Sequence, residues 1–304
     1  MGITKLADLI RIAAPDAISY KDISDYTGKV IALDTSIIMN QFRTAVPKLN
    51  FLSPMTGIFF RTLTFLEHDI KPVFVFDGKP PGEKLAVLER RAETAGWGSP
   101  NRSGAASSQT KECLQLLKLL GVPILQAPGD GEALCARLVS EGTADAVASE
   151  DMDTLPFGAG LLIRQLNAKK DSEVIEYSLP KILEKLKLSQ EETHPVPHFW
   201  QYQEARKLFL EGARTVAQEL VWTEPDEEGL VQLLCTTHHV KEPRIRGRMV
   251  KFREAREKKR KEREERKSGP SRQMRMEDFF RVTRKRKQQM DGAEAVPSKA
   301  SKKT

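Results

Sequence analysis

Six carboxylates stand where one chain can carry them to a common place: Asp34, Asp77, Asp130, Glu132, Asp151 and Asp153. Each closes or follows a short apolar run. KVIALD ends in Asp34 and KPVFVFD ends in Asp77, while GVPILQ leads through Ala127-Pro128-Gly129 to Asp130 and Glu132, and ADAVAS leads to Asp151 and Asp153. Residues two apart on an extended segment point the same way, which suits Asp151 and Asp153. Residues two apart inside a helix do not share a face, so Asp130 and Glu132 converge only where loop becomes helix. One such residue is most simply a cap or a turn former, but six at strand ends repel one another unless cations sit among them. No Cys or His is interleaved, and all-carboxylate ligation suits a hard cation such as Mg²⁺ or Mn²⁺ rather than zinc. Two such ions can clamp the attacking and leaving oxygens of a phosphodiester.

The elements that must position these groups follow from the hydrophobic pattern. Apolar residues at helical spacing run from Ile3 to Ile12, from Ser36 to about Val46, and through MTGIFFRTLTFLEH at 55–68. A further helix opens after Glu132, with Ala133, Leu134, Leu138 and Val139 on its apolar side. Continuous apolar strands alternating with helices predict an α/β fold, a mostly parallel sheet covered by helices on both faces. In such sheets the ligand crevice lies outside the carboxyl ends of the strands. QEARKLFLEG and TEPDEEGLVQLLC read as later helices, the second opened by Thr223 and its acidic neighbours, with His238 and His239 as surface residues at its end.

Charge divides the chain. Residues 241–304 hold 24 Lys+Arg and 10 Asp+Glu, a net of +14, whereas residues 1–240 hold 25 and 32, a net of −7. The basic character is a tail property and suggests nucleic acid or nuclear import. Cys113, Cys135 and Cys235 have no CxxC spacing and are odd in number, which argues for a reducing compartment and against a disulfide framework. No apolar run is long enough to span a membrane, and MGITKLADLI does not continue as a signal peptide. The expected organisation is a folded region at 1–91, a Gly/Ser/Ala-rich flexible segment at 92–110, a second folded region at 111–240, and a disordered basic tail at 241–304. Within 244–267 Arg and Lys mix with Glu at helical spacing, as on a solvated helix. QMRMEDFF at 273–280 then sets two adjacent aromatics in a polar tail, which is costly unless a partner buries them.

Taken together, MGITKLADLI, IALDTS, KPVFVFDGKPP, ERRAE, LLGVPILQAPGDGEALCA and ASEDMDTLPFG resemble the flap structure-specific endonucleases of replication and repair, over residues 1–91 and 111–188 and again from Pro195 onward. The resemblance implies a PIN/5′-nuclease-like fold, cutting of 5′ flap DNA with associated 5′–3′ exonuclease activity, and two Mg²⁺ ions on the six carboxylates, with Mn²⁺ a possible substitute. It further implies phosphate contact by Arg61, catalytic roles for Lys84 and Arg91, and DNA contacts from Arg90 and Asp130. Gln273, Met276, Phe279 and Phe280 match a box that binds a PCNA-type sliding clamp, which a monomer would occupy up to three per trimer. RKRK at 284–287 matches a nuclear import signal, with nucleolus and mitochondrion as further family locations.

The chain departs from the family pattern. Asp130 replaces a longer Glu, Asn40 a base-stacking tyrosine, and Pro47 an arginine. Residues 92–110 shorten the helical arch, and near Glu192-Thr193 the family's duplex-gripping region and seventh carboxylate have no counterpart. The competing expectation is therefore a catalytically impaired clamp-binding protein that keeps the nuclease fold. A third is a nuclease that trims single strands without gripping duplex.

Overall fold

The computed structural model describes residues 3, 5–45, 53–78, 90, 104–166, 173–186 and 219–268. The chain divides into two contact units, Met1–Lys258 and Lys259–Thr304. Seven strands make one sheet: β1 (Ile18–Lys21), β2 (Val30–Asp34), β3 (Lys71–Phe76), β4 (Ile124–Gln126), β5 (Ala146–Ala148), β6 (Leu161–Arg164) and β7 (Val174–Ser178). Their order is β1-β7-β6-β5-β2-β3-β4, with β6 through β4 parallel and β7 and β1 added antiparallel at one edge. The described helices are α1 (Leu6–Ala13), α2 (Thr35–Ala45), α3 (Pro54–Glu67), α4 (Gly104–Leu119), α5 (Gly131–Ser140), α6 (Leu179–Leu186), α7 (Glu227–Gln232) and α8 (Glu242–Ser268).

The apolar strands are continuous because both of their faces are buried. Ile31 and Leu33 of β2, Phe74 and Phe76 of β3 and Ala146 and Ala148 of β5 pack into the core under α2, α3, α4 and α8. The intervening Ala32, Val73, Val75 and Val147 pack into a second core under α5. This period-2 division is the pleat of the strand. A third, smaller core joins α1 and α6 to β7 through Ile10, Tyr177 and Ile182.

Local signals set the helix starts. Ser53 accepts the Met55 N–H at the head of α3, with Pro54 in the first turn where its missing N–H costs nothing. Asp226, not Thr223, caps α7 by accepting the Gly229 N–H at 3.0 Å, and the chain then widens into a π-helical turn over Leu233–Thr237. In α8, Ile245, Met249 and Phe252 form a buried stripe at i, i+4, i+7. Arg248 reinforces that contact, reaching Glu67 Oε2 at 2.8 Å and Thr64 Oγ1 at 3.1 Å on α3.

Two further expectations meet the structure differently. Helix α4 begins at Gly104, so the last seven residues of the segment read as flexible linker are helical. His238 is not a surface residue: its side chain is 10% exposed, and its Nδ1 lies 3.0 Å from Ser53 Oγ. In the second unit the described residues are the end of α8, where exposed Arg260 and Glu264 lie 3.8 Å apart. No described helix is long and apolar enough to cross a membrane.

Candidate metal centre

The four strands that end in carboxylates are neighbours, in the order β5-β2-β3-β4. The strand order reverses between β2 and β5, since the chain steps outward from β2 to β3 to β4 and then returns to β2's other side. This is the switch point at which parallel sheets open a crevice. Parity in β2 gives Asp34 the face of Ala32, the side covered by α5. Glu132 arrives on the first turn of α5, and a short 3₁₀ turn after β5, Met152–Thr154, carries Asp153 with Asp151 as its N-cap.

Glu132, Asp151 and Asp153 form the tightest group, with one carboxylate oxygen of each within 4.8 Å of the others. Asp151 is buried, and its Oδ1 accepts the Asp153 N–H at 3.2 Å. Asp153 in turn accepts the backbone N–H of Ile3 at 2.9 Å, which draws the N-terminal segment to the site. Asp34 is 3% exposed and caps α2, its Oδ1 accepting the N–H groups of Ser36 and Ile37 at 2.9 and 3.4 Å. Burial, and next the charge of Asp77, push its pKa up to about 7 despite those two donors, with Asp151 adding to the rise.

Asp77 sits just beyond β3 and is exposed. Its Oδ1 accepts the Gly131 N–H at 2.7 Å and its Oδ2 the Ser36 hydroxyl at 2.5 Å. Its carbonyl accepts from the Gln126 amide. Gly78 next to it has to be glycine, because a Cβ there would stand 2.1 Å from the Ala127 carbonyl oxygen. Asp130 is the N-cap residue of α5 and lies outside the tight group. Cys135, fully buried one turn into α5, has its thiol pKa pushed well up by burial and then by Asp34, Glu132 and Asp77.

The donor set fits a hard divalent cation. It is oxygen only, it crowds like charges, and in its most buried member, Asp34, burial and then the charge of Asp77 oppose ionisation, which a cation would relieve. The Cys135 thiol is fully buried and its pKa is pushed well up, first by burial, which disfavours the thiolate a metal would bind.

The other predicted residues are placed as follows. Arg61 lies on the opposite face of the sheet, half-buried between α2 and α3. It donates to Gln41 Oε1 at 2.9 Å, and its guanidinium carbon stands 4.4 Å from the centre of the Phe42 ring. Burial lowers its pKa to about 10, with Glu150 acting against that drop. A small cavity beside it is floored by Leu33 and Ile163 and rimmed by Gln41, Ser149 and Glu150. Asn40 and Arg90 are exposed. Lys84, Arg91, Pro47 and the box residues Gln273, Met276, Phe279 and Phe280 lie outside the described residues, as does the 187–218 stretch. Sequence reasoning missed Ser36, Gly131 and the Ile3 amide, which hold the carboxylates, and Gln126, which holds the Asp77 carbonyl. The one available signal was the Ser two residues after a strand-end Asp.

Comparison with known proteins bears on this arrangement. Residues 1–95 match the family model described as the XPG N-terminal domain and residues 121–196 that of the XPG I-region. A probable flap endonuclease 1 homolog of Danio rerio is 51% identical, over 94% of this chain and 95% of the relative. That alignment spans 332 positions, more than the 304 residues of this chain, so the relative carries residues with no counterpart here. Among solved structures, the flap endonuclease-1 of Methanococcus jannaschii superposes with a TM-score of 0.64 at 22% identity, covering 80% of this chain and 97% of that one. The catalytic core of Rad2 in complex with DNA substrate superposes with a TM-score of 0.66 at 19% identity, covering 83% and 99%.

Proposed function

The chain belongs to the flap endonuclease family, and from that premise we propose that it is a Mg²⁺-dependent 5′ flap endonuclease, with 5′–3′ exonuclease activity, that hydrolyses DNA phosphodiesters at two metal ions. The observation that carries the proposal is the tight group of Glu132, Asp151 and Asp153 at the switch point, with Asp34 and Asp77 electrostatically coupled to it. Those five residues would hold the ions, with Asp130, two residues before Glu132, as a more distant contributor. Divalent ions bound there supply Lewis acidity and offset negative charge on the phosphate.

The chain's own residues do the rest. Hydrogen bonds from Ser36, Ile37, Gly131 and Ile3 fix four carboxylate oxygens before substrate arrives, so little reorganisation is left for the reaction itself. Lys84 and Arg91 are assigned to steadying the scissile phosphate, and Arg61, Arg90 and Asp130 to the DNA path. Arg61 would make such a contact from a position already stacked on Phe42. Residues 273–280 are assigned to a PCNA-type sliding clamp and RKRK at 284–287 to nuclear import.

Cleavage of a labelled double-flap DNA by the purified chain in Mg²⁺, beside Asp151→Ala and a chelator, tests the reading. Cutting near the flap base that vanishes in both controls is expected. No cutting, with clamp binding intact, would leave a clamp-tethered relative of the family instead of an enzyme.

A further inference from the structure

Asp34 ends β2 and Asp77 follows the neighbouring parallel strand β3, and the charge of Asp77 raises the cost of charging Asp34. One residue addresses both. The backbone N–H of Ser36 donates to Asp34 Oδ1 at 2.9 Å, and its hydroxyl donates to Asp77 Oδ2 at 2.5 Å. Ser36 can do so because it lies in the first turn of α2, where N–H groups lack helical partners and face back toward the strand end. The opposite oxygen of Asp77 is taken by the Gly131 N–H at 2.7 Å, so its carboxylate is gripped from two directions, by the head of α2 and the head of α5. The serine hydroxyl is the only side-chain donor among these contacts. The others are main-chain amides that no substitution at their own positions removes, short of proline.

We propose that Ser36 is a positioning residue for the metal centre: its hydroxyl sets the plane of the Asp77 carboxylate while its N–H sets that of Asp34, so that the pair is presented to a cation already oriented. The inference rests on the metal reading above. Outer partners that orient a ligand typically change metal affinity by about 10- to 100-fold when removed. Ser36→Ala keeps the N–H to Asp34 and deletes only the contact to Asp77, whose carboxylate is then free to turn about the remaining Gly131 bond. Ser36→Thr keeps the hydroxyl.

The experiment is titration of Mn²⁺ into the full chain, followed by the electron paramagnetic resonance signal of the free ion. The proteins are the natural chain, Asp151→Ala, Ser36→Ala, Ser36→Thr, Asp77→Asn and the double variant Ser36→Ala/Asp77→Asn, with melting curves in chelator for each. We expect about tenfold weaker Mn²⁺ binding in Ser36→Ala with an unchanged melting temperature in chelator, recovery in Ser36→Thr, and no additional loss when Ser36→Ala is placed on Asp77→Asn. Natural affinity in Ser36→Ala would overturn the proposal, as would equal losses in Ser36→Ala and Ser36→Thr. A full additional loss on the Asp77→Asn background would do the same, because Ser36 would then act by another route. If the natural chain and Asp151→Ala bind Mn²⁺ equally poorly, the metal reading itself falls and takes this inference with it. That outcome differs from one in which the natural chain binds and only the serine is indifferent.

Discussion

His238 Nδ1 lies 3.0 Å from Ser53 Oγ, the same oxygen that accepts the Met55 N–H to cap α3. The segment that follows α7 is thereby tied to the start of a helix 185 residues earlier.

The tie should be sensitive to acid. Burial holds the His238 pKa below its ordinary 6.5; Glu112 opposes this and His239 adds to it. The unfolded chain therefore takes up a proton at higher pH than the native one does. Stability is complete above about pH 6.5 and declines as pH falls from there through the lower native value. Melting temperature should drop more steeply between pH 7 and pH 5 in the natural chain than in His238→Gln. Parallel pH profiles would count against this account.

Asp34→Asn should stabilise the chelated protein while abolishing its cutting. Asp34 holds a charge that burial, Asp77 and Asp151 all oppose, and the amide keeps an oxygen for the N–H groups of Ser36 and Ile37. A gain of at least about 1 kcal/mol at pH 8 in chelator is expected, since a shift of one pKa unit corresponds to about 1.4 kcal/mol. Chemical denaturation measures it, and a loss of stability would refute the argument.

Arg248→Ala should cost about 3 kcal/mol, because it leaves Glu67 without its partner in a half-buried site. Arg248→Lys should recover only part, since an ammonium cannot reach Glu67 and Thr64 together as the guanidinium fork does. Urea unfolding of both variants gives the values, and full recovery by lysine would show that charge alone is sufficient.

Phe279→Ala with Phe280→Ala should abolish clamp binding in a pull-down and leave flap cleavage in the absence of clamp unchanged. Two aromatics in a polar tail are assigned to a partner's pocket, and nothing in the proposed chemistry uses them. Reduced cleavage without clamp would instead assign the tail to DNA.

Much of the site was legible because its ligands follow a local rule. Asp34, Asp77 and the pair Asp151 and Asp153 each follow an apolar strand, and parallel strands put their carboxyl ends on one edge. The order of those strands was not legible, nor was the pairing of β1 with β7, because partners as distant in the chain as Ile31 and Ala146, or Ile18 and Tyr177, leave no periodic trace. Asp130 illustrates the limit. Spacing set it beside Glu132, yet the turn into α5 makes it a cap residue and sends only Glu132 into the tight group. His238 escaped for the same reason: its burial depends on Ser53 and Glu112, which are distant in the chain. The fully apolar strands, by contrast, announced a sheet covered on both faces.

The edge strand β1 adds a consequence in time. Ile18 pairs with Tyr177, and the segment ahead of β1 delivers the Ile3 amide to Asp153. A chain emerging from the ribosome has made residues 18–21 long before the strand that receives them exists. The N-terminal segment must therefore wait undocked while more than half of the protein is synthesised. The carboxylate of Asp153 takes its hydrogen bond from the first residues made, so a partly synthesised chain carries an unfinished carboxylate cluster until the sheet is complete.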